Sequence, residues 1–115
     1  VTVIDSSVIL RYLLADSDKN FKKSKEIVEG NSCLVIGEVL CESVRVLERL
    51  YKVPRKEISA TLIEFLNLEN IIVEDIYIKA LVIYEREKLD FLEALLCAYK
   101  EDFKVSSFNK RVKKC

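Results

Sequence analysis

The sequence predicts an α/β fold: a central parallel sheet of about four strands with helices on both faces. Three observations carry that expectation. Four short apolar runs, rich in β-branched residues, are separated by one or two stretches of helical spacing, and no hairpin signal joins any two of them. The 115 residues include two glycines and one proline, which leaves room for one domain, 1–115, with short loops.

Val1 to Ile4 is the first strand and ends on Asp5. Ser6 and Ser7 offer capping oxygens before a helix over Val8 to Leu14. Lys19 to Glu29 is charged but carries Phe21, Ile27 and Val28 at helical spacing, and it stops at Gly30 and Asn31. Cys33 to Ile36 is the second strand. From Gly37 to Tyr51 the apolar residues Val39, Leu40, Val44, Leu47, Leu50 and Tyr51 repeat at three and four, which predicts an amphipathic helix. Pro54 breaks it and starts the next helix, through Ile58, Leu62, Ile63 and Phe65 to Leu68. Ile71 to Val73 is the third strand. Helices follow over Ile76 to Glu87 and Phe91 to Glu101, the second with Asp90 as its cap, and Val105 to Phe108 is the fourth strand before a basic helical turn.

Composition excludes several chemistries. There is no histidine, so Ser-His-Asp and Cys-His catalysis, imidazole ligands and a histidine base all fall away. Two glycines cannot write a dinucleotide or P-loop motif. Nineteen basic residues balance nineteen acidic ones, so any contact with a polyanion must be local. Cys33, Cys41, Cys97 and Cys115 are too widely spaced for a zinc knuckle and are expected to be buried small side chains plus a free thiol at Cys115. No run is long enough to span a bilayer and no signal pattern opens the chain, so the expected compartment is the cytoplasm, with no membrane contact.

What remains for acid-base work is carboxylate or metal. Asp5 lies at the carboxyl end of the first strand, where open parallel sheets bind ligands, and serves there as a helix cap or as a ligand. Glu93 falls within the most apolar helix, where a lone carboxylate needs a cation or metal. Asp90, three residues earlier, is a cap that projects near the same face. Glu38, Glu42, Arg45 and Arg49 form a polar stripe that reads as a surface ion-pair ladder unless the fold brings it to the other acids. Three or four acids in a sheet-end cleft suit a hard divalent cation such as Mg²⁺, which acidifies bound water and neutralises phosphate charge.

The stretch Val3-Ile4-Asp5-Ser6-Ser7-Val8-Ile9-Leu10-Arg11 resembles the opening of PIN domains, especially those of VapC-like toxin ribonucleases. Val39-Leu40-Cys41-Glu42-Ser43-Val44-Arg45 is similar to the second motif of that family, Asp90-Phe91-Leu92-Glu93-Ala94 to the third, and Val105-Ser106-Ser107-Phe108-Asn109 to the fourth. The usual aspartates stand as Glu93 and Asn109 here. The resemblance covers essentially the whole chain. It implies a three-layer α/β/α sandwich, an Mg²⁺ or Mn²⁺ centre on Asp5, Glu42 and Glu93, hydrolysis of RNA, and, for toxin members, a homodimer inhibited by an antitoxin protein.

On that basis Asn109 joins the three acids as a catalytic candidate, with Ser7, Asp90 and Ser107 in support. Arg11, Arg45, Lys110 and Arg111 are candidates for gripping RNA phosphates, the alternative for each being an ordinary solvated cation. The departures at Glu93 and Asn109 also allow a second reading, a degenerate PIN domain that binds RNA or protein without cleaving. Leu62, Ile63, Phe65, Leu66 and the apolar residues of the Ile76 to Tyr84 helix exceed what a small core is expected to bury, which points to the homodimer.

Overall fold

A computed structural model describes residues 1–15 and 17–115. The elements run β1 (Thr2–Val3), α1 (Ser6–Leu14), α2 (Asp18–Gly30), β2 (Cys33–Leu34), α3 (Gly37–Arg49), α4 (Arg55–Leu66), β3 (Ile71–Ile72), α5 (Asp75–Arg86), α6 (Phe91–Tyr99) and α7 (Lys110–Lys114). The caps explain most of these boundaries. Asp5 accepts from the Val8 N–H, Ser17 from that of Asn20, and Asp90 and Glu93 form a reciprocal capping box at the head of α6. Pro54 precedes α4 as its N-cap residue, where it takes extended backbone angles.

The three strands form one parallel sheet in the order β1-β2-β3, with Thr2 opposite Cys33 opposite Ile71 and Val3 opposite Leu34 opposite Ile72. All three strands therefore point their carboxyl ends to one rim, which carries Asp5 after β1, Glu38 after β2 and Glu74 and Asp75 after β3. Asn70 fastens the opposite rim, donating to the carbonyls of Val28 and Asn31. The two sheet faces differ. Cys33 and Ile71 are buried, whereas Val3 is 59% and Ile72 44% exposed, so the second face is covered only in part.

The core joins α1, α3, α4, α5 and α6 through Ile9, Leu40, Val44, Ile58, Leu62, Leu81 and Ala94. Within it sits one polar clamp. Tyr84 is fully buried on α5, its hydroxyl donates to Glu48 on α3, and its ring packs edge-on to Phe91 at 6.2 Å between centroids. Arg55, from the first turn of α4, lies 4.1 Å above the same ring and donates to the carbonyls of Tyr84 and Leu89. Burial, with the Glu48 hydrogen bond, pushes the Tyr84 phenol well above its ordinary range, so it stays a donor at every working pH. Beside this clamp, Ser59 donates across to the Leu81 carbonyl and fixes α4 on α5.

Three expectations need correction. Val105 to Phe108 forms no strand: between its two apolar ends lie Ser106 and Ser107, Ser107 turns back to accept from the Asn109 N–H, and Phe108 is fully exposed. Residues 104–108 keep an alternation of exposed and half-buried side chains, but without the ladder bonds that would make a fourth strand. Cys115 is not a free thiol, because it is bonded to Cys97, with 5.8 Å between their Cα atoms. Finally, Leu62, Phe65 and Leu66 do not overflow the core, each being at most 3% exposed because α4 packs between α3 and α5, whereas Ile63 and, on α5, Ile76, Tyr77, Ile78 and Ile83 stay half-buried.

Candidate carboxylate centre

Glu93 is the acid around which side chains converge. It lies on the third position of α6, is 6% exposed, and uses both oxygens. Its Oε1 accepts from the Asp90 N–H at 3.1 Å and Arg111 Nε at 3.2 Å. Its Oε2 accepts from Asn109 Nδ2 at 2.6 Å and from Arg111 through Nε at 3.0 Å and a terminal guanidinium nitrogen at 2.9 Å. The sequence reading that a carboxylate in this helix needs a cation is therefore met, but by a guanidinium of the same chain. The Arg111 hydrogen bond holds the Glu93 carboxyl below the usual glutamate range, against the opposing effect of burial, with the Asp90 N–H and Asn109 adding to it.

That shift has a sign. A carboxylate with a depressed folded-state pKa contributes its stability above its unfolded value, about 4.3 for glutamate, and loses it as pH falls through the folded value. Acid titration is thus expected to loosen α7 below about pH 4.3, read as faster amide exchange at residues 110–114. In Arg111→Gln that pH dependence should flatten; an unchanged profile would show that the ion pair does not hold α7.

Asn109 has a second role. Its Oδ1 accepts from the Arg111 and Val112 N–H groups at 2.8 and 3.3 Å, so it caps α7 while its amide holds Glu93. Ser107 supports it through the Asn109 N–H at 3.0 Å. Asp90 is exposed and spends Oδ1 on the Glu93 N–H at 2.8 Å, as the cap it was expected to be.

The other two acids take no part in these hydrogen bonds. Asp5 is exposed at the sheet rim, where Oδ1 accepts from the Ser7 hydroxyl at 2.6 Å and the Val8 N–H at 3.2 Å. The Ser7 hydroxyl chiefly, then the Val8 N–H, hold its carboxyl below the usual range, and Arg11 adds a smaller coulombic effect. Glu42 is exposed on α3 and lines an open groove with Glu38, Cys41, Arg45, Tyr77 and Leu92. Gly37 opens that groove: a Cβ there would collide with the Tyr77 ring and hydroxyl. Arg45 also lines a small cavity of about 140 Å³ with Glu48, Arg49, Asp90 and Phe91. Lys110 is exposed at the start of α7.

Among the described residues, no three of the Asp, Glu and Cys side chains come close enough to hold a metal ion. As arranged, the centre does not fit a divalent cation, since Glu93 has both oxygens engaged by hydrogen-bond donors of its own chain. Arg111, expected on RNA phosphates, is committed to Glu93. The pairing across 18 residues and the neighbouring Cys97–Cys115 bond have no local sequence pattern; the one hint was that a buried Glu93 demanded a cation.

No helix among the described residues is long and apolar enough to cross a membrane. No curated protein and no solved structure matches the chain. The family model of the PIN domain matches residues 2–114. With a parallel α/β fold, an aspartate after the first strand and a near-buried acid on α6, and with that match spanning almost every residue, the chain belongs to the PIN-domain family.

Proposed function

We propose that this chain, like PIN domains generally, is a nuclease, and that its substrate is RNA. One observation beyond family membership supports RNA. Residues 99–115 hold six basic side chains against the acids Glu101 and Asp102, although the whole chain is neutral. The same segment exposes Phe103 by 64% and Phe108 completely, with Lys113 5.9 Å from the Phe108 ring. Exposed aromatics among free cations suit single-stranded nucleic acid, whose bases stack while its phosphates are gripped. The segment ends on the residues that hold Glu93, so bound RNA would lie beside the carboxylate.

Asp5, Glu42 and Glu93 are the acids this reading assigns to catalysis, and Mg²⁺ or Mn²⁺ is the cofactor it calls for. Arg11 beside Asp5, Arg45 in the groove and Lys110 on α7 are the side chains assigned to the phosphates. The finer reading is a three-layer α/β/α endoribonuclease working in the cytoplasm as the toxin of a toxin-antitoxin pair. A second copy, if the chain pairs, has the open sheet row Val3, Leu34 and Ile72 to cover rather than α4.

The test is cleavage of an RNA panel by the purified chain with Mg²⁺ or Mn²⁺, with and without a thiol reductant, against Asp5→Asn. A fall of at least about 100-fold is expected, because losing a group that only supports a metal ligand already costs about 10- to 100-fold and Asp5 is read as one of the acids itself. Equal cleavage by both proteins would remove the assignment. The second reading, an RNA-binding or protein-interaction module without catalysis, is favoured by the engaged Glu93. It predicts RNA binding that Lys110→Glu weakens, and no cleavage under any condition.

A further inference from the structure

Beside the aspartate of the sheet rim lies an open groove of about 320 Å³, walled by α1 and the end of α3, with Asn20 contributed by α2. Ser7 lines it and donates to Asp5 at 2.6 Å, so the groove adjoins that acid. Val46 lines both this groove and the one that holds Glu42, one helical turn earlier on α3. Charge sets the groove apart. Among the described residues Arg11 is its only charged lining residue, and it is exposed. The groove of Glu42, the cavity at Asp90 and the clefts at Glu29 and Glu64 all carry carboxylates. In a chain of zero net charge this groove is therefore the one that favours an anion.

Its other lining residues narrow the kind of anion. Leu10 and Leu14 give half-buried apolar walls, and Tyr51 adds an aromatic ring that is 43% exposed. The Asn20 amide offers one acceptor and two donors. A flat ring, an amide and a guanidinium in one groove suit a base and its phosphate better than a bare inorganic anion. The turn that ends α3 fixes the backbone at Tyr51. The Leu50 and Tyr51 N–H groups donate to the Val46 carbonyl at 2.9 and 3.3 Å. Lys52 then takes a left-handed angle, φ 54°, and the Val53 N–H reaches the Leu47 carbonyl at 3.0 Å. Left-handed backbone favours glycine, so the fold bears a cost that sets where Tyr51 sits. A ring on so fixed a stem loses little freedom when a base stacks on it.

We infer that this groove is a nucleotide subsite for single-stranded RNA, with the base on the Tyr51 ring and its phosphate on Arg11. The inference rests on the RNA-nuclease reading and adds a second contact region to the segment 99–115. A strand that leaves the groove past Ser7 and Val46 comes to Asp5 and Glu42, two of the acids that reading assigns to catalysis.

The experiment measures the affinity of fluorescein-labelled octauridylate RNA for the full chain by fluorescence anisotropy, in EDTA to prevent cleavage, over a series of salt concentrations. Tyr51→Ala is expected to bind about 10-fold more weakly, the loss of one stacked base, with the salt dependence unchanged. Tyr51→Phe keeps the ring and should stay within about twofold of the unaltered chain. Arg11→Gln should weaken binding and lower the slope of log affinity against log salt by about 0.7, the loss of one phosphate contact on a single strand. Both side chains are exposed, so the variants should unfold in urea with the unaltered chain. An affinity unchanged in either Tyr51→Ala or Arg11→Gln overturns the subsite. If Lys110→Glu then still weakens binding, the RNA lies on the segment 99–115, the RNA reading stands and the groove is left to a protein partner. No binding of this RNA by the unaltered chain overturns both.

Discussion

Replacing Tyr84 by alanine is expected to lower the free energy of unfolding by about 3–5 kcal/mol, the range for emptying a buried aromatic site. The side chain is 0% exposed and meets three helices at once: its hydroxyl donates to Glu48 on α3, Arg55 on α4 caps its face, and Phe91 on α6 packs its edge. Those neighbours are themselves fixed by their own helices, so the site cannot collapse to fill the void. Tyr84→Phe isolates the hydroxyl, and about 1 kcal/mol is expected for it. The cost stays small because Glu48 lines a solvent-reaching cavity and finds water in place of the phenol. Urea unfolding of the three proteins checks both values; a Tyr84→Ala loss no greater than that of Tyr84→Phe would mean that the ring is not a keystone of the core.

How far the fold was legible follows the range of the interactions. Helices α1 to α6 were readable because their signals are local: Asp5 and Asp90 sit where caps belong, Gly30 and Asn31 close α2, Pro54 divides α3 from α4, and Val44, Leu47, Ile58 and Leu62 keep a helical period. The strands were found but overdrawn, since an apolar run such as Cys33 to Ile36 extends past the paired residues Cys33 and Leu34, with only the Val35 N–H bond to the Ile72 carbonyl continuing the ladder. The fourth strand failed for a related reason. An alternating pattern at 105–108 shows which side chains face inward, but ladder bonds require a partner, and among the described residues these four pair with none of the three strands.

The centre was legible in its components and not in its connections. Glu93 was singled out because apolar neighbours make an isolated carboxylate costly, and that argument is local. Its partners Asn109 and Arg111 lie 16 and 18 residues away, and the Cys97–Cys115 bond also spans 18; the folding of α7 onto α6 decides them, through no periodicity that a window could detect. Arg55 was missed for the same reason, because its carbonyl partners stand 29 and 34 residues further on.

Arg55 links core stability to the carboxylate centre, which makes its replacement the second large effect. The guanidinium donates to the Tyr84 carbonyl, one of those that α5 leaves unpaired at its end, and to the Leu89 carbonyl immediately before the α6 cap Asp90. Charge-assisted hydrogen bonds contribute about 1.5–3 kcal/mol each and the stacking on Tyr84 about 0.5–2. Arg55 is half-buried, so the lower ends apply, and about 3–4 kcal/mol is expected for Arg55→Met, which keeps the apolar stem. Arg55→Lys keeps the charge but cannot span both carbonyls from one planar group, and should recover less than half of the loss. The readout that ties this to function is local: with Leu89 released, the Asp90–Glu93 capping box frays, and amide exchange at Glu93 and Ala94 should quicken by about tenfold, equivalent to about 1.4 kcal/mol of local protection. If global stability falls while that exchange keeps its ratio to the rest of the core, Arg55 braces the core without setting the position of Glu93.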